Sequence, residues 1–113
     1  MNCGDVVLVE YPFTNDSGSK VRPVLIVSAD TYNRGEDRVC TPISSAPTRD
    51  DPYAFLLPES APWFERTGLR KESSVKWTKL FTISRQIIRR QLGYLDDTPL
   101  AEILSKVQGL FER

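Results

Sequence analysis

The 113-residue chain contains no histidine. That absence removes Ser-His-Asp and Cys-His triads, two-histidine acid–base schemes and zinc sites of the Cys/His kind. Cysteine is almost as scarce. Cys3 and Cys40 are too few for a disulfide framework, and their separation fits no metal-ligand spacing. No Walker loop and no G-x-G-x-x-G cradle occurs. No apolar run approaches the length of a membrane span, and the first residues lack the basic-then-apolar pattern of a secretory leader. There is no repeat and no low-complexity tract. These absences predict a soluble, cytoplasmic protein with one domain spanning residues 1–113, and they call for no metal and no cofactor.

What is present is the balance of a folded protein, with 40% hydrophobic and 27% charged residues and a formal net charge of zero. The charge is unevenly spread. From Trp63 to Arg90 there are eight cations (Arg66, Arg70, Lys71, Lys76, Lys79, Arg85, Arg89, Arg90) against Glu65 and Glu72, a net +6 offset by the rest of the chain. Such asymmetry fits either a polyanion-facing surface or a solvated charged face.

The apolar patterning predicts many short strands and one helix. Val6 to Tyr11 is β-branched and ends at Pro12, and Thr14 to Ser19 is a polar loop. Val21 to Ser28 is apolar on both faces, which predicts a central strand, with Pro23 near its start or at an edge. Further strands are expected at Arg38–Ser44, Tyr53–Leu57, Ser74–Thr78, Leu80–Ile83 and Gly93–Leu95. Residues 84–91 are open between a short helix and a strand, and Gly68 marks a turn. Leu100, Ile103, Leu104, Val107, Leu110 and Phe111 fall on one helical stripe expected to be core. Pro99 lies in the first turn, after Asp97 or Thr98 as cap. Short strands in so small a chain predict a mainly β fold, a compact bent sheet or small barrel with a packed C-terminal helix.

Chemistry is left to Arg and Lys beside Ser and Thr, groups suited to binding a phosphate and stabilising charge that builds on it. The acid pairs Asp50-Asp51 and Asp96-Asp97 lie beside proline or at a helix start, where turn and cap roles explain them. The stretch GSKVRPVLIVS, residues 18–28, sets Lys20 and Arg22 directly against a strand.

Taken with GDVVLV at 4–9, PISS at 42–45, GLRKESSVK at 68–76, Thr82-Ile83 and LGYL at 92–95, this stretch resembles the MazF/PemK/Kid family of toxin endoribonucleases over nearly the whole chain. The resemblance implies an SH3-like barrel of bent antiparallel strands with a C-terminal helix. It also implies a homodimer with an RNA groove along its interface, metal-independent cleavage of single-stranded RNA and neutralisation by a cognate antitoxin. Residue by residue, Arg22 matches the main catalytic arginine, and Ser44 stands where the family usually has threonine. Lys76 stands at a second catalytic arginine of some members. Thr78 stands where those members have an acidic residue thought to act as base, which leaves the general base unidentified.

The corresponding mechanism has the 2′-hydroxyl of RNA attack its neighbouring phosphate. Arg22 clamps the phosphoryl oxygens, extended by its place before Pro23, and Ser44 donates a hydrogen bond. Lys76 adds a second cation. Phe13 stacks a base or simply packs, and Ser19, Lys20, Ser45, Lys76 and Thr78 complete the candidate RNA contacts. Trp77 is expected in the core or a dimer interface. Each candidate also has an ordinary role: Arg22 as an edge-guarding cation, Ser44 as a strand-end hydroxyl satisfying a backbone group. Two other functions remain open, a weakened binding module that holds antitoxin or nucleic acid without cutting, and a DNA-binding regulator using Ser84 to Arg90. That run is too short for a helix-turn-helix.

Overall fold

A computed structural model of the chain describes residues 1–11, 20–46 and 50–113, with only the backbone of Tyr11 and Lys20. Among the described residues, seven strands and one α-helix follow in the order β1 (Asp5–Tyr11), β2 (Lys20–Ile26), β3 (Asp37–Ser44), β4 (Phe55–Leu57), β5 (Ser73–Val75), β6 (Phe81–Ser84), β7 (Ile88–Tyr94) and α1 (Asp97–Gly109). Every pairing is antiparallel, in the order β4-β5-β3-β2-β1-β7, with β6 also paired to β3. This is the bent sheet of a small SH3-like barrel, mainly β with a single C-terminal helix.

Because side chains alternate across a strand, adjacent valines in β1 feed two different cores. Val6 joins Leu25, Ile43, Val75, Trp77 and the helix residues Leu100 and Ile103 on one face. Val7 and Val9 join Val24, Ile26, Cys40 and Ile83 on the other. The doubly apolar β2 is central as expected, with β1 on one side and β3 on the other. Burial of Cys40 pushes its thiol up to about 12, so it is no nucleophile at neutral pH.

Several boundaries differ from the sequence reading. Residues 84–91 resolve into a 3₁₀ turn at Arg85–Ile87, opened by Ser84 Oγ accepting from Gln86 N–H, and then into β7. The strand expected at 74–78 ends at Val75, and Trp77 packs in the first core from the turn beyond. Helix α1 ends at Gly109, so Leu110 and Phe111 lie past its last turn, 41% and 69% exposed, rather than in the core. The cap position is Asp96, not Asp97 or Thr98, and its carboxylate does not cap.

That carboxylate instead accepts from Arg66, with Nε 2.7 Å away, clamping the 3₁₀ turn Phe64–Thr67 to the helix start. The hydrogen bond from Arg66 holds the Asp96 carboxyl below its ordinary 3.8, against a smaller opposing desolvation. A depressed folded-state pKa stabilises the fold above the unfolded value, and that contribution is lost as pH falls through the folded one. Thermal melts of the native chain and Asp96→Asn are therefore expected to differ by a constant amount above about pH 5, and to converge below the ordinary carboxylate range. A gap that widens on acidification would refute the clamp.

Candidate functional site

The geometry of the site starts from two prolines. The β2–β3 ladder runs Ile26–Cys40, Leu25–Thr41, Val24–Pro42 and ends there. The next hydrogen-bonded pair would be Pro23 with Ile43, and Pro23 has no N–H to give, while Pro42 turns its carbonyl to Lys76 on the other side of β3. One strand repeat beyond the last pair stand Arg22 and Ser44. Both share a face with Val24 and Pro42, because side chains two apart point the same way. On the other edge of β3, Ser44 pairs with Ser74, and Lys76 N–H donates to Pro42 O at 2.9 Å. Lys76 is thus brought to the same face as Ser44 and Arg22. Strands about 4.8 Å apart and repeats of about 6.8 Å put the Cα atoms of Arg22 and Lys76 roughly 12 Å apart, within convergence of two long side chains.

The Arg22 guanidinium is exposed, and no hydrogen bond or ion pair joins it to any described residue. Its backbone is held between Val9, its partner on β1, and the rigid Pro23. An exposed cation on a packed strand, unpartnered among the described residues, is suited to receive an anion. Ser44 Oγ accepts from Ala46 N–H at 3.1 Å, so the strand-end role is real, while its own proton stays available to donate. Lys76 is half-buried, and its Nζ lies 3.3 Å from Asp51 Oδ2. The other oxygen, Asp51 Oδ1, accepts from Tyr53 N–H at 2.9 Å, which is the turn role expected of it. That backbone donor, and then Lys76, hold the Asp51 carboxyl below its ordinary range against partial desolvation.

Past Ser44, on the β4–β5 side of β3, opens a groove of about 580 Å³, lined among others by Ser45, Asp51, Glu59, Glu72 and Ser74. Ser45 is exposed in its wall, as an RNA contact requires. Thr78 lies in the turn closed by Lys79 N–H on Lys76 O, past the end of β5, and is not part of the strand face. Phe13 and Ser19 lie outside the described residues, as does the side chain of Lys20. Asp51, Glu59 and Glu72 were missed as site residues. The sole sequence signal was their charge, since their approach to β3 comes from loops distant in the chain.

The +6 segment does not form one basic face. Arg66 pairs with Asp96, Lys76 with Asp51, Arg85 with Glu36 and Arg89 with Glu10, each acid lying outside the segment. Ion pairs among the described residues meet half of these cations. Among the described residues no group of three or more Cys, Asp and Glu is placed to hold a metal ion, and no helix is long and apolar enough to cross a membrane.

Similar architecture occurs in several solved structures. The MazE–MazF crystal structure (Form-III) from Deinococcus radiodurans is 22% identical with a TM-score of 0.75, over 97% of this chain and 94% of that one. Mycobacterium tuberculosis toxin MazF-mt6 is 20% identical with a TM-score of 0.71, over 94% and 93%. An endoribonuclease in complex with its cognate antitoxin, from a mycobacterial species, is also 20% identical at 0.71, over 100% and 99%. At such identities these likenesses establish the fold alone. No curated protein matches the chain in sequence. The family model described as PemK-like, MazF-like toxin of type II toxin–antitoxin system matches residues 2–111. The chain therefore belongs to the PemK-like, MazF-like toxin family.

Proposed function

We propose that this toxin is an endoribonuclease that cleaves single-stranded RNA without metal, by attack of a 2′-hydroxyl on the adjacent phosphate. The observation that carries the reading is the exposed Arg22 guanidinium, without a partner among the described residues and fixed at the parting of β2 and β3 on the face it shares with Ser44. A guanidinium presents a planar fork to two phosphoryl oxygens and stabilises the charge that grows on them in the transition state. It does not deprotonate, so its role is electrostatic. Ser44 donates to the same oxygens, and Lys76 adds a second cation. A flexible, unpaired strand is what such a groove admits, and exposed Ser45 offers a hydroxyl along it.

We infer an antitoxin as protein partner, supported by family membership and by the antitoxin complexes among the similar structures. Half-exposed Val21 beside Arg22 gives an apolar flank on which a second copy can seat, so the active form is a homodimer acting on RNA in the cytoplasm. The competing reading, binding without cutting, draws on Thr78, which offers no carboxylate to the site.

Incubation with end-labelled single-stranded RNA in excess EDTA tests the proposal. The expected products carry a 2′,3′-cyclic phosphate and a 5′-hydroxyl. Products with a 5′-phosphate, or cutting that stops with chelator, would overturn the mechanism. Retention of RNA with no cutting would establish the binding module instead.

A further inference from the structure

We propose that Asp51 and Lys76 form the proton-transferring pair of this reaction. Asp51 takes the proton of the attacking 2′-hydroxyl, and Lys76 delivers one to the departing 5′-oxygen. The inference rests on the nuclease reading and supplies the acid and base that Arg22 and Ser44 cannot be. A guanidinium offers donors only, with no lone pair to take a proton. Ser44 Oγ has one lone pair committed to Ala46 N–H, and a hydroxyl is a poor base.

Three carboxylates line the groove, and the geometry separates them. Glu59 Oε1 accepts from the backbone N–H of Glu72 at 3.0 Å, a clasp between two loops. Glu72 is exposed, and it enters that clasp through its backbone N–H and not its carboxylate. Asp51 alone of the three touches a side chain of the Arg22–Ser44 face, through the 3.3 Å contact with Lys76. It is fixed by the turn to Tyr53, so its second oxygen is held at one place. The Asp51 and Lys76 side chains are 36% and 22% exposed, open enough to meet substrate yet partly withdrawn from water. Asp51 is ionised at neutral pH, as a base must be, because Tyr53 N–H and Lys76 both favour the carboxylate.

The step balances. O2′ forms a bond to phosphorus while the bond from phosphorus to O5′ breaks, and the 2′ proton passes to Asp51 Oδ2. The leaving oxygen takes a proton from Lys76 Nζ. A neutral carboxylic acid then stands against a neutral amine, and the proton crosses their contact to restore both charges. Attacking and leaving oxygens lie in line on either side of phosphorus, a span of two bonds. The 3.3 Å between Oδ2 and Nζ is of that size, so the pair can flank both oxygens at once.

The test uses two versions of one cleaved RNA, with oxygen or sulfur as the bridging 5′ atom. Sulfur leaves as a thiolate and needs no acid, since a thiol ionises near pH 8.5. Asp51→Asn is expected to cut both versions about 10²-fold or more slowly. Its binding of an uncleavable 2′-O-methyl RNA should stay within about threefold, and Asp51→Glu should retain part of the rate. Lys76→Met is expected to show a similar loss on the oxygen substrate and recovery to within about tenfold on sulfur. An Asp51→Asn rate within about threefold of native, or a Lys76→Met defect equal on both substrates, overturns the pair. If Arg22→Ala is inactive while Asp51→Asn is not, only this inference falls. A native chain that cuts neither substrate removes the nuclease reading as well.

Discussion

Arg22→Ala is expected to lower the single-turnover rate of RNA cleavage by about 10²–10³-fold, the loss typical when one preorganised donor to a developing oxyanion is removed. The fold should not change. Arg22 is exposed and unpartnered among the described residues, and the backbone that positions it is set by Val9 opposite and Pro23 beside it. The variant should therefore melt with the native protein, which separates a chemical defect from a structural one. Arg22→Lys keeps the charge and loses the fork, so an intermediate rate is expected. An Arg22→Ala rate within about threefold of native would show that the scissile phosphate does not sit at the parting of β2 and β3, and the whole site would have to be moved.

Much of that site follows from the order of residue types along strands. Arg22, Ser44 and Lys76 belong to three apolar runs whose alternation sets which face each side chain takes. Once β2, β3 and β5 are neighbours, the three take one face of the sheet without further information. The fold class is legible for the same reason, since Val6–Val9 and Val24–Ile26 each supply two faces. Long-range pairing was not legible. Lys76 and Asp51 are joined across 25 residues by a loop whose path no local rule sets, so Asp51 read only as a turn residue. The same blindness left residues 63–90 open between a basic surface and a solvated charged face, whereas among the described residues Asp96, Asp51, Glu36 and Glu10 reach in to pair with half of their cations. Helical spacing likewise continued through Leu110 and Phe111 after Gly109 had ended the helix, because a period reports the face a residue would take and not whether the backbone still turns.

The largest expected stability loss lies away from the chemistry, at Gly93. A Cβ built there would sit 2.1 Å from Arg66 O and 2.7 Å from Thr67 C. These are backbone atoms of the 3₁₀ turn, and they cannot swing aside as a side-chain tip can. The contact is reciprocal: Gly68, which closes that turn at φ +73°, would place a Cβ 2.2 Å from Leu92 O on β7. Two glycines thus let turn and strand backbones lie directly against each other. The turn has no slack to give. Thr67 is fully buried, its hydroxyl donates to Phe64 O at 2.6 Å and accepts from Leu69 N–H, and Arg66 is tied to Asp96. Nor has the strand, since Gly93 is paired with Val6 at the centre of the first core. Gly93→Ala is expected to cost more than about 3 kcal/mol, a large part of a small domain's stability, and to lower the melting temperature by on the order of 12 °C or more. Gly109→Ala is the matched control, because nothing lies within 4 Å of its added methyl at the end of α1, and it should change stability by less than about 1 kcal/mol. If Gly93→Ala melts within about 2 °C of native while Gly109→Ala does the same, β7 and the turn do not approach as closely as these distances require.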